Sequence, residues 1–73
     1  MSNLDDNDRT ILDALRRHFG SGGEPVHPEE VATIAGLSED AVRRSLSDLY
    51  RAHLVEGATV EETDEPVLIT GVR

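Results

Sequence analysis

Val31-Ala32-Thr33-Ile34-Ala35-Gly36-Leu37-Ser38-Glu39-Asp40-Ala41-Val42-Arg43-Arg44-Ser45-Leu46-Ser47-Asp48-Leu49 decides the fold of this chain. Val31, Ile34 and Ala35 recur at helical spacing, so they form the inner stripe of a short helix over about 28–35. Gly36 stops that helix, because glycine takes the left-handed conformation in which a Cβ is costly. Leu37 anchors the turn. Ser38 caps the next helix, and Glu39 and Asp40 lie in its first turn, where the helix dipole favours negative charge. Over about 39–53, Ala41, Val42, Leu46, Leu49 and His53 face inward. Arg43, Arg44, Ser47, Tyr50 and Arg51 then face partly or wholly outward.

Outside this stretch the pattern is equally local. Ile11, Leu12, Leu15 and Phe19 make one apolar face of a helix over about 6–19, capped by Asp5 or Asp6. Asp8 adds negative charge in its first turn, and Arg16, Arg17 and His18 suit its negative end. Gly20-Ser21-Gly22-Gly23 then ends it. That run is a flexible loop and not a phosphate cradle, since no Lys-Ser or Lys-Thr follows. Glu24-Pro25-Val26-His27 is extended, because Pro25 and Pro28 each bias the preceding residue to β, and Val26 supplies a single edge strand. Pro28 suits the first position of the second helix, with His27 at its cap. Leu54-Val55 starts an extended segment, Thr63-Asp64-Glu65-Pro66 is a turn cluster, and Val67-Leu68-Ile69-Thr70 is β-prone. The predicted order is helix, short strand, helix, helix, strand, strand: an α+β chain. Its second and third helices, joined by a short glycine turn, form a helix-turn-helix closed on one side by a hairpin.

Composition bounds the function. At 73 residues, with 37% hydrophobic content, the chain suits a single domain with one small core. It has no cysteine, which excludes disulfides, thiolate zinc sites and cysteine nucleophiles. No apolar run approaches the roughly 20 residues of a membrane helix. Met1-Ser2-Asn3-Leu4-Asp5-Asp6 is acidic and has no apolar signal core, so the expectation is a cytoplasmic protein. Its formal charge is -8, and all 7 basic residues are arginine. A GC-rich genome would favour arginine codons; a salt-rich cytoplasm would favour an acidic, lysine-poor surface. Phosphate repels such a chain at low ionic strength, so any nucleic-acid role needs a local arginine patch.

From about Leu4 to Arg73 the sequence resembles the winged helix-turn-helix family, in the type found among small bacterial and archaeal transcriptional regulators. Val31-Ala32-Thr33-Ile34-Ala35-Gly36-Leu37-Ser38 looks like the family's second helix, glycine turn and recognition-helix cap. Ala41-Val42-Arg43-Arg44-Ser45-Leu46-Ser47-Asp48-Leu49 is similar to its recognition helix. Leu54-Val55-Glu56 resembles the start of the first wing strand, and Val67-Leu68-Ile69-Thr70 the returning strand, which places the wing over about 54–72. Two positions depart from the pattern. His53 stands where the family usually has glycine, and histidine tolerates a left-handed backbone better than a branched residue does. The wing tip holds Glu61, Glu62, Asp64 and Glu65, with no basic residue from Glu56 to Val72.

The resemblance implies a regulator that places its third helix in the major groove of double-stranded DNA. Arg43 and Arg44 then reach guanine O6 and N7 or phosphates. Ser47 and Arg51 extend the stripe, Ser38 and the helix N-terminus meet phosphate, and Glu39 and Asp40 sit where a carboxylate can accept from cytosine N4. Set against this, Arg43 and Arg44 at helical spacing can simply pair with Glu39, Asp40 and Asp48. A single recognition helix offers limited specificity, so a homodimer reading two half-sites is expected, through the first helix or a wing edge. The alternative is a protein-interaction domain whose acidic wing, Glu61, Glu62, Asp64 and Glu65, steers towards a basic partner. His18, His27 and His53 share no ligand spacing, so no metal site or cofactor is expected. No serine or threonine is placed beside a histidine and a carboxylate in a strained turn, and the expectation is not an enzyme.

Overall fold

Asp5, His27 and Ser38 each stand in extended backbone and turn the chain into a helix. In the computed structural model, which describes residues 5–60 and 65–73, these helices are α1 (Asp6–Gly20), α2 (Pro28–Ala35) and α3 (Glu39–Arg51). The Asp5 carboxylate accepts from the Asp8 N–H at 2.8 Å, and the Ser38 hydroxyl from the Ala41 N–H at 3.2 Å. At α2 the direction reverses: the His27 N–H donates to the Glu30 carboxylate at 3.1 Å. Each bond satisfies a donor at a helix entrance that would otherwise lack a partner.

All three helices end the same way. Gly22 at φ 81°, Gly36 at φ 72° and His53 at φ 62° are left-handed. Beyond His53, the Leu54 N–H donates back to the Leu49 carbonyl at 2.9 Å, and the His53 N–H to that of Tyr50 at 3.0 Å. Gly22 and Gly23 reach back to Phe19 and His18 in the same manner. This geometry satisfies the last carbonyls and, after Gly36 and His53, folds Leu37 and Leu54 onto the core. It also corrects two expectations. The third helix stops at Arg51 rather than near residue 53, and His53 is exposed instead of inward. The left-handed turn takes His53 out of helical register, and Leu54 rests against the core in its place.

β1 (Val55–Thr59) and β2 (Pro66–Val72) pair antiparallel, with Val55 opposite Val72 and Gly57 opposite Ile69. The register shifts after Glu56 and again after Ala58. Gly57 lies against the Leu68 carbonyl so closely that a Cβ would collide with it. β2 is longer than the expected Val67–Thr70: Pro66 opens the strand instead of closing a turn, at an end where its missing N–H breaks no ladder. Val26 forms the expected short strand as a single bridge to Ile69, with mutual N–H to carbonyl bonds of 3.0 and 2.7 Å.

The core joins Ile11, Leu12 and Leu15 of α1 to Val31, to Val42, Leu46 and Leu49 of α3, and to Val26, Val55 and Ile69 of the strands. Burying one such side chain is worth roughly 1.5–3 kcal/mol. Ile34 is not among them: it is 45% exposed, against expectation. The covered stripe of α2 runs through Val31, Ala32 and Ala35, and this rotates Ile34 towards the rim facing α1. Two polar residues are buried that the pattern did not single out as interior, Asp8 and Ser45, each 4% exposed. Outside the core, the Arg16 guanidinium holds the Arg73 carbonyl oxygen at 3.2 Å, tying α1 to the end of β2.

Candidate nucleic-acid interface

α3 is amphipathic along its whole length. Val42, Ser45, Leu46 and Leu49 anchor one side, which leaves Arg43, Arg44 and Arg51 on the opposite, exposed side. That side forms one wall of an open groove of about 520 Å3 lined by Asp40, Arg43, Arg44, Ser47, Asp48, Arg51 and Glu65. Glu65, just before β2, supplies the other wall. A second hollow of about 340 Å3 lies between Arg43, the start of α2 and the start of β2. It is braced by the His27 Nδ1–H, which donates to the Val67 carbonyl at 3.0 Å.

The arginines are not equivalent. Arg43 is bound to Glu39 at 2.6 Å, one turn earlier, although its side chain remains 59% exposed. Arg51 is bound to Asp48 at 2.7 Å and also reaches the Ser47 carbonyl at 3.4 Å. Arg44 is exposed and makes no ion pair among the described residues; the same holds for Asp40, one turn before it. The structure therefore realises the intrahelical pairing for Arg43 and Arg51 and leaves Arg44 as the open guanidinium. Exposed pairs of this kind are worth about 0.3–0.5 kcal/mol, so a stronger acceptor can displace Glu39 or Asp48.

The remaining candidates fall as follows. Ser38 is exposed, but its hydroxyl is occupied by the helix cap. Ser47 is half-buried, and its Oγ is enclosed without a hydrogen-bond partner among the described residues. Glu39 and Asp40 are exposed at the start of α3. Glu65 is exposed and lines the groove, whereas Glu61, Glu62 and Asp64 lie outside the described residues. Glu39, Asp40, Asp48 and Glu65 outnumber Arg43, Arg44 and Arg51 by one, so this face has no positive excess. The sequence pattern had placed Glu65 with the hairpin tip; its position opposite α3 follows from where β2 begins.

Among the described residues no histidine, aspartate and glutamate cluster is arranged to hold a metal ion, and no helix is long and apolar enough to cross a membrane. No family model matches the chain, and neither a curated protein nor a solved structure matches it.

Proposed function

We propose that this chain is a winged helix-turn-helix protein that binds double-stranded DNA sequence-specifically and regulates transcription. In this reading α3 enters the major groove. The supporting observation is the exposed face of α3, where Arg44 makes no ion pair among the described residues and Arg43 and Arg51 flank it on exchangeable bonds. Arg44 is the residue that reads, since a guanidinium matches guanine O6 and N7 with two parallel donors. Arg43 exchanges Glu39 for a base or phosphate. Asp40 accepts from cytosine N4. Because the face carries no positive excess, phosphate attraction contributes little, and discrimination rests on base contacts. Replacing Arg43 and Arg44 together with Ala is expected to abolish binding to an operator selected from random DNA. Unchanged affinity in a gel shift would remove the basis of this mechanism.

The excess of carboxylates around α3 and Glu65 favours a second reading, a domain that recruits a basic protein partner. Gel shifts on random and genomic DNA, at low and at molar salt, separate the two. A shift at either salt supports the regulator. No shift at either supports the protein partner, and charge reversal of Glu61, Glu62, Asp64 and Glu65 must then release that partner.

A further inference from the structure

We propose that the hollow where the end of α3 meets the base of the hairpin binds a small organic oxyanion, a carboxylate or phosphate carried on an apolar body. Tyr50, Arg51 and His53 line it from the end of α3, Val55 and Glu56 from β1, and Arg73 from beyond β2. It holds about 480 Å3, within the roughly 300–1,000 Å3 of small-molecule sites. Buried Val55 and half-buried Tyr50 supply its apolar surface. It shares only Arg51 with the α3 groove, and the inference does not depend on DNA binding.

Charge, preorganisation and strain converge on this ligand class. The chain carries a charge of -8, the α3 face has no positive excess, and the hollow beside His27 sets Glu29 and Glu65 against Arg43 alone. Here Arg51 and Arg73 meet one carboxylate, Glu56. Arg73 is held by its backbone. Its N–H donates to the Leu54 carbonyl at 2.9 Å, and its carbonyl accepts from the Arg16 guanidinium at 3.2 Å. Its own guanidinium makes no hydrogen bond or ion pair among the described residues. A fixed backbone carrying an unspent fork of donors suits a carboxylate or phosphate, which accepts two parallel bonds. Arg51 rests on Asp48, an exposed pair that a ligand can exchange. His53 takes the left-handed conformation where the other two helix ends use glycine, and its exposed ring makes no hydrogen bond among the described residues. Glycine would end α3 without that strain, so the strain points to a use for the ring at this hollow. Imidazole offers an N–H to an anion in either tautomer. The end of α3 does not oppose an anion strongly. Its Asp48, Leu49 and Tyr50 carbonyls already accept from the Ala52, Leu54 and His53 N–H groups. A bare inorganic anion would leave Tyr50 and Val55 uncovered, whereas an apolar body packs on them.

Isothermal titration calorimetry of the full chain with benzoate, phenyl phosphate and inorganic phosphate tests this. Benzoate or phenyl phosphate is expected to bind with a Kd of roughly 1 mM or below, and inorganic phosphate several-fold more weakly. The tighter of the two organic probes tells which head group the hollow prefers. Arg73→Gln keeps both main-chain bonds and should weaken binding roughly tenfold. His53→Gly should weaken it several-fold while Tm rises, a combination that a purely structural role for the ring does not give. Arg9→Gln removes an exposed arginine of α1 outside the hollow and should change nothing. Failure of both organic anions to bind at ~10 mM overturns the proposal. So does an equal loss in Arg9→Gln, or wild-type binding by folded Arg73→Gln and His53→Gly. Loss of duplex DNA affinity in Arg73→Gln, with no small anion bound, would also overturn it and make the hollow a DNA backbone contact.

Discussion

His53 holds a left-handed backbone at φ 62°, where a Cβ crowds the following carbonyl at a cost of roughly 1–2 kcal/mol. Gly22 and Gly36 end the other two helices in the same conformation without that cost. The histidine is exposed, so its ring offers little packing in return. His53→Gly therefore removes strain but adds freedom to the unfolded chain, which offsets part of the gain. The expected net stabilisation is about 0.5 kcal/mol, or a rise in Tm of roughly 2–4 °C in a thermal melt. A lower Tm for His53→Gly would mean that the imidazole contributes more than the strain costs.

At the scale of an element, α3 serves two demands that conflict. Its first turn carries Glu39 and Asp40, which stabilise the helix through its dipole, and Glu39 also holds Arg43. In the proposed function the same carboxylates approach a polyanion. Glu39→Gln should therefore separate the two effects. Stability should fall by roughly 0.5–1.5 kcal/mol, the sum of a dipole interaction and an exposed ion pair. Affinity for the selected operator should rise several-fold, because Arg43 is released and one repulsive charge is gone; fluorescence anisotropy reads this directly. A loss of affinity would instead mean that Glu39 itself contacts a base.

Over the whole molecule, the charge of -8 is the dominant long-range field. Screening shortens the Debye length to about 3 Å at 1 M salt, so self-repulsion falls and Tm should rise from dilute buffer to molar potassium chloride. The same titration discriminates binding modes. Three arginines on the α3 face neutralise at most three phosphates, so the plot of log affinity against log salt should have a slope no steeper than roughly -3. The surrounding carboxylates make it shallower still. A slope twice as steep would show that basic residues away from α3 carry the contact.

The starts of the three helices and the stops of α1 and α2 were legible in the sequence because they depend on groups within a few residues of one another. Asp5, Pro28, Ser38 and Gly36 act at the positions their chemistry suggested, and the 3.6-residue period placed Arg43 and Arg44 outward on α3. Periodicity defines a face relative to its own helix axis; it does not say how much of that face a neighbour covers. The exposure of Ile34 and the burial of Asp8 and Ser45 were decided by how the helices and the hairpin meet. The same holds for the close approach of Gly57 to Leu68, for Glu65 opposite α3, and for His53 and Arg73 around one hollow. Each of these brings together segments distant in the chain, and only closure of the common core brings them within reach.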